Sequence, residues 1–176
     1  MQEFYKTTVV PALKEKFGAK NIFEVPKITK ITINVGVGRS IKDPDFIGVV
    51  EKSLTRITGQ KPVKTKAKKS VASFKIREGA VIGMMVTLRG ARMYDFLNKL
   101  VNIAFPRIRD FRGITITSVD QNGNLTVGFK ENLPFPEIRS DEVERVHGLE
   151  VCISSTARTR EEGEALFTLL GFPFKK

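Results

Sequence analysis

The chain has no tryptophan, two tyrosines, one cysteine and one histidine in 176 residues. With Cys152 alone, no intramolecular disulfide can form, and a reducing cytoplasm fits best. One Cys and one His offer none of the ligand spacings of a metal site, so neither metal nor cofactor is expected. His147 and Cys152 are the residue types of a nucleophilic couple, but Cys152 sits in a strand-like run as a small apolar residue, and a structural thiol is expected. No apolar run approaches the roughly 20 residues of a membrane helix. The N-terminus, with Glu3 early, lacks the regions of a signal peptide, so a soluble cytoplasmic protein without a membrane partner is expected. Gly36-Val-Gly38-Arg-Ser follows a strand, as a dinucleotide-binding turn does, but Ile41 stands where the third glycine belongs. The phosphate-binding Gly-x-x-x-x-Gly-Lys pattern is absent. The expectation is a protein that is not an enzyme.

Positive charge is abundant, and it is local. Of 30 Lys and Arg and 19 Asp and Glu, 13 and three fall between Lys61 and Arg112, making that stretch net +10 within a chain of net +11. A basic surplus of this kind suits a polyanion, because neutralising phosphates releases condensed counterions. The plain alternative is a solvated charged face.

Along the chain, Phe4, Val9, Leu13 and Phe17 recur at helical spacing up to Gly18, with Pro11 predicting a kink or a break into two short helices. Ile28 to Val35 alternates, Ile31, Ile33 and Val35 on one face and Lys30, Thr32 and Asn34 on the other. Asp43 as N-cap and Pro44 at the first position open a helix whose stripe is Phe46, Val50, Leu54 and Ile57, closed by Gly59. An extended piece over Pro62 to Lys66 leads into Lys64 to Arg77, which has no sustained period and reads as a long basic loop, mobile over about 64–80. Val81 to Arg89 is a strand with Ile82, Met84, Val86 and Leu88 inward. Met93, Phe96, Leu97 and Leu100 mark a helix ending before Pro106. Ile114 to Val119 and Leu125 to Phe129 read as strands paired through an Asn122-Gly123 hairpin. Residues 133–148 read as irregular. Leu149 to Ala157 is a last strand, and Thr159 with Glu162 caps a last helix carrying Ala165, Leu166 and Leu169 inward.

This order predicts an α+β fold, 1–176 as a single domain, with a mainly antiparallel sheet and helices packed on one face. The free face then carries Thr32, Asn34, Thr87 and Arg89. Such a platform suits splayed or stacked RNA, since amides and hydroxyls read base edges and the ribose 2′-hydroxyl; a merely solvated face is equally compatible with alternation alone. An RNA-modifying enzyme or a generic RNA-binding module are the alternative functions.

The runs Ile31-Thr-Ile-Asn-Val-Gly-Val-Gly38, Gly59-Gln-Lys-Pro62, Lys69-Ser-Val-Ala-Ser-Phe-Lys-Ile-Arg77, Val86-Thr-Leu-Arg-Gly90, Phe105-Pro-Arg-Ile-Arg-Asp-Phe-Arg-Gly113 and Phe135-Pro-Glu-Ile138 closely resemble the bacterial ribosomal protein L-five family, across essentially the whole chain. Ser154-Ser155 in place of the usual Thr pair and Cys152 in place of an aliphatic residue are mild departures. The resemblance implies an RNA-recognition-like sandwich and a structural constituent of the large ribosomal subunit. It implies that the chain binds 5S rRNA, helps attach it to the central protuberance beside neighbouring 5S-binding proteins, contacts large-subunit rRNA and P-site tRNA, and joins an intersubunit bridge through a small-subunit head protein. Carried onto this sequence, the 5S surface includes Asn34, Gln60 and Thr87 for hydrogen bonds, with Lys61, Lys64 and Arg89 supplying phosphate attraction. Lys66, Lys68, Lys69, Lys75 and Arg77 of the loop reach rRNA or tRNA, and Phe74 either stacks on a base or pins the loop to the protein body. Arg107, Arg109 and Arg112 extend the basic surface. Asp141, Glu142 and Glu144, with Glu150, form an acidic region suited to a basic bridge partner.

Overall fold

Alternation builds the sheet. In β1 (Ile28–Gly36), Ile31, Ile33 and Val35 are buried while Thr32 and Asn34 stay half-exposed. Each buried aliphatic side chain of this kind contributes about 1.5–3 kcal/mol. β1 lies at the centre of five strands ordered β2-β3-β1-β5-β4 in an α+β fold whose sheet is antiparallel; the others are β2 (Val63–Lys66), β3 (Val81–Leu88), β4 (Leu125–Phe129) and β5 (Leu149–Ser155). The computed structural model describes residues 1–38, 43–138 and 145–175. They group into two compact units, Met1–Ile31 with Leu88–Val127 and Cys152–Lys176, and Thr32–Thr87 with Gly128–Val151.

In the first unit the expected opening helix is continuous, and Pro11 neither ends it nor splits it. α1 (Gln2–Phe4) passes through a π-helical stretch, Tyr5–Val9, into α2 (Val10–Phe17), with Val10 N–H donating to Tyr5 O. The same device recurs where the sequence predicts a stop before Pro106. α4 (Gly90–Lys99) continues through a π-helical Leu100–Ala104 into α5 (Phe105–Arg107), with Phe105 N–H donating to Leu100 O. A proline lacks an N–H and its ring crowds the carbonyl four residues back. A wide turn placed immediately before it shifts the carbonyl ladder by one residue, so the helix passes through. The Tyr5 hydroxyl donates to Pro26 O at 2.9 Å, and burial pushes its pKa up to about 12.

A second expectation fails here. Ile114 to Val119 forms no strand: Ile114 bridges Phe174 in parallel, residues 116–118 make a 3-10 turn, and Val119 alone bridges Leu125. Thr115, Thr117 and Ser118 instead exchange hydroxyl bonds, a local alternative to a ladder. The reversal at 120–124 is real. Asp120 accepts from the N–H groups of Asn122 and Asn124, and Gly123, at φ +71, sits so close to α6 (Arg160–Leu169) and the residues before it that a Cβ would lie 3.2 Å from Gly163 Cα and 2.5 Å from Ala157 Cβ. Thr159 caps α6 by accepting from Glu162 N–H, while the Glu162 carboxylate takes the N–H of Arg158 rather than of the cap residue.

In the second unit, Asp43 caps α3 (Pro44–Thr58) by accepting from Phe46 N–H at 3.1 Å, and Gly59 ends it in the left-handed conformation at φ +65. A cap of this type contributes about 1 kcal/mol. Val50, Leu54 and Ile57 are buried along its stripe. β2 then pairs antiparallel with β3, Val63 opposite Met85, Lys64 opposite Met84 and Thr65 opposite Gly83, with an irregularity before Lys66.

Candidate nucleic-acid interface

Period-two geometry sorts the predicted residues of the second unit by face. Asn34, Thr65, Gly83 and Thr87 have the parity of the face opposite Ile33, Met84 and Val86, the buried side. Asn34 and Thr87 are half-exposed, and neither side chain has a hydrogen-bond partner among the described residues. Gln60 differs: its Nε2 donates to Thr87 O at 3.3 Å. β2 pairs with β3 only as far as Val63 opposite Met85, so the amide takes a carbonyl beyond the ladder's end and satisfies it. Lys64 also stands apart. Opposite the buried Met84, it takes the parity of the helix side, and its Nζ lies 2.9 Å from Glu51 Oε2 of α3. That hydrogen bond is the main reason the Glu51 carboxyl is held below its ordinary range, with the Lys61 charge adding to it. Lys61 is exposed. Arg89 is exposed too, and stands as the residue preceding α4 in the other unit.

The basic loop is closed by backbone bonds. Val71 and Ile76 exchange N–H···O bonds of 2.9 and 3.1 Å around the 3-10 turn Ala72–Phe74, and Lys75 turns the chain at φ +54. Below this, Ala67 donates to Ala80 O and accepts from Gly79 N–H, and Ser70 Oγ accepts from Glu78 N–H. Only Ala67 is buried; Lys66, Lys68, Lys69, Lys75 and Arg77 are exposed, and Phe74 is 72% exposed. Phe74 therefore does not pin the loop to the body. In the first unit Arg107, Arg109 and Arg112 are exposed on a turn gripped by stacked Phe105 and Phe111, centroids 5.4 Å apart. Asp141, Glu142 and Glu144 lie outside the described residues; Glu150 is exposed on β5.

The profile described as "Ribosomal protein L5" matches residues 21–77, and the C-terminus profile of the same ribosomal family matches residues 81–174. The chain belongs to the ribosomal protein L5 family. Relatives named "Large ribosomal subunit protein uL5" include those of Thermoanaerobacter sp. (strain X514), 51% identical over 100% of this chain and 98% of the relative, and Marinomonas sp. (strain MWYL1), 53% identical over 100% and 98%. That of Cupriavidus metallidurans is 51% identical over 99% of this chain and 97% of the relative. Membership makes the chain a large-subunit ribosomal protein of the bacterial cytoplasm, in a family of structural constituents rather than enzymes.

Within this family member, sequence reasoning missed two features. Ser53 Oγ and His147 Nε2 lie 2.6 Å apart, both residues buried, with His147 Nδ1 3.2 Å from Gly148 O. The Ser53 hydroxyl has one proton and also lies 3.1 Å from Val50 O; with Nδ1 protonated toward the Gly148 carbonyl, the shorter contact takes that proton and Nε2 accepts it. Burial pushes the His147 pKa down, so the neutral ring is favoured; the stability this gives is present above the ordinary value near 6.5 and falls as pH drops below it. A Ser and His pair suggests nucleophilic chemistry, but this one is enclosed and its histidine is oriented by a backbone carbonyl rather than a carboxylate. It ties residue 147 to α3, where Arg145 also bonds Asp43 and holds that carboxyl below its usual range. No local signal marked the pairing, which spans 94 positions. Cys152 is half-buried on β5, its sulfur accepting from Thr126 Oγ1 at 3.7 Å. The second missed feature is Gly83, buried in the middle of β3; a glycine inside an apolar strand was the available sign.

Proposed function

We propose that this large-subunit protein binds 5S rRNA on the open sheet face, with Asn34 and Thr87 hydrogen-bonding bases or riboses and Lys61 and Arg89 attracting phosphate. The observation that supports this reading is that Asn34 and Thr87, half-exposed on paired strands, have no side-chain hydrogen-bond partner among the described residues. Polar groups fixed in this way pay little ordering entropy when RNA satisfies them. Gln60 acts partly through structure, since one N–H of its Nε2 is engaged with Thr87 O, leaving the second N–H and the carbonyl oxygen for RNA. Lys64, paired with Glu51, contributes to the field rather than to a base contact.

The exposed cations of the loop from Lys66 to Arg77 contact large-subunit rRNA and P-site tRNA, and the exposed Phe74 stacks on a base. Arg107, Arg109 and Arg112 extend the rRNA surface. Asp141, Glu142 and Glu144 meet a small-subunit head protein at an intersubunit bridge, and neighbouring 5S-binding proteins complete the central protuberance. Chemical footprinting of the protein on 5S rRNA, at fixed and stated salt against an unrelated structured RNA, tests the central claim. Discrete protections on 5S rRNA that are lost in Asn34→Ala support it. Equal binding to both RNAs overturns it in favour of a generic binder, and a chemically altered RNA recovered after incubation overturns it in favour of an enzyme.

A further inference from the structure

Gly83 sets the floor of the open face. A Cβ there would lie 2.8 Å from Thr65 Oγ1, 3.1 Å from Val35 O and 3.8 Å from Asn34 Oδ1. The backbone of Gly83 has no positive φ, so conformation does not require glycine, and a mid-strand glycine is less stable than alanine. Close approach by neighbours is what requires it. Thr65 from β2 and Asn34 from β1 lean over the same bare backbone, from the strands on either side of β3. Thr65 is half-exposed, and its hydroxyl, like the Asn34 amide, has no hydrogen-bond partner among the described residues.

We infer that Thr65 is a further RNA-reading residue, its hydroxyl hydrogen-bonding the nucleotide that Asn34 contacts, in a cradle that Gly83 keeps open. A hydroxyl both donates and accepts, and so matches a ribose 2′-hydroxyl or a base edge. The neutral pair adds contact geometry without phosphate neutralisation. This inference rests on the open face being the 5S rRNA site.

The experiment measures 5S rRNA affinity, its salt slope and the thermal midpoint for Thr65→Val, Thr65→Ser and Asn34→Ala. Valine keeps the branched shape and removes only the hydroxyl. Thr65→Val is expected to bind 3- to 10-fold more weakly with unchanged slope and midpoint, and Thr65→Ser to bind within twofold of the native protein. The double variant Asn34→Ala with Thr65→Val should lose less than the product of the two single losses, because both groups hold one nucleotide. Native-like binding by Thr65→Val while Asn34→Ala is weakened overturns the assignment of Thr65 alone, as does a lowered thermal midpoint in Thr65→Val. Native-like binding by both single variants overturns the reading of the face itself.

Discussion

The open sheet face and the basic loop, two regions of one compact unit, are built differently. Around Asn34, uncharged groups stand on paired strands, their positions fixed by the burial of Ile33, Val35, Met84 and Val86 behind them. From Lys66 to Arg77, five exposed cations stand on a segment closed by its own backbone bonds, with only Ala67 buried. Fixed hydrogen-bonding groups suit discrimination, because a wrong partner leaves them unpaired. Mobile-stemmed cations suit attraction, because phosphate charge is felt without exact placement. The +10 stretch of sequence thus holds the whole loop but only the Thr65 and Thr87 side of the face, a division that charge alone does not show.

The sharpest way to break the contrast is to change Lys66, Lys68, Lys69 and Lys75 to Gln together. Binding to large-subunit rRNA should fall about 100-fold near 0.1 M salt with the salt slope reduced by about 3–4, while isolated 5S rRNA binding changes little. An equal loss on 5S rRNA would merge the two regions into one site. Next comes Asn34→Ala or Thr87→Val, expected to weaken 5S rRNA binding about 10-fold, the value of one or two neutral hydrogen bonds, with the slope unchanged; a shallower slope would mean that these positions organise phosphate contacts. Gln60→Ala should lower stability by about 1 kcal/mol in urea denaturation by releasing the Thr87 carbonyl, and unchanged stability would return Gln60 wholly to the RNA surface. The smallest effect belongs to Lys64→Gln, under about 1 kcal/mol for a partly exposed pair. Because the Glu51 pKa is lowered in the folded protein, the Lys64 contribution is present above the ordinary carboxylate range and disappears as pH falls through it. The variant's deficit should therefore close toward acid pH, as read from denaturation at pH 7 and pH 3.

Where structure is local, the residues announce it. The alternation of β1, the Asp43-Pro44 start and Gly59 end of α3, and Met84, Val86 and Leu88 of the inward set of β3 match the structure, with Ile82 only half-buried, because period, cap chemistry and handedness act within a few residues. The errors share a cause. Pro106 reads as a stop, yet the π-helical Leu100–Ala104 carries the helix past it, held by the burial of Leu100, Ala104 and Phe105. Ile114 to Val119 has the composition of a strand, but Ile114 finds Phe174 near the other end of the chain, and a single bridge to Leu125 does not make a ladder. Of the proposed site, the placement of Asn34 and Thr87 on the outer face was legible by alternation, whereas the tie from Gln60 to Thr87 and the enclosure of His147 by Ser53 depend on contacts 27 and 94 positions apart.

The sequence by itself determined the family, the α+β class and the location of the positive charge, because composition and short-range periodicity are properties of the chain. Tertiary structure alone decided which side each charge or hydroxyl occupies. The register of β2 on β3 sends Lys64 toward Glu51 and sets Thr65 over Gly83. In a pleated strand a shift of one residue would exchange those two faces, and the pairing that fixes the register lies about twenty residues along the chain.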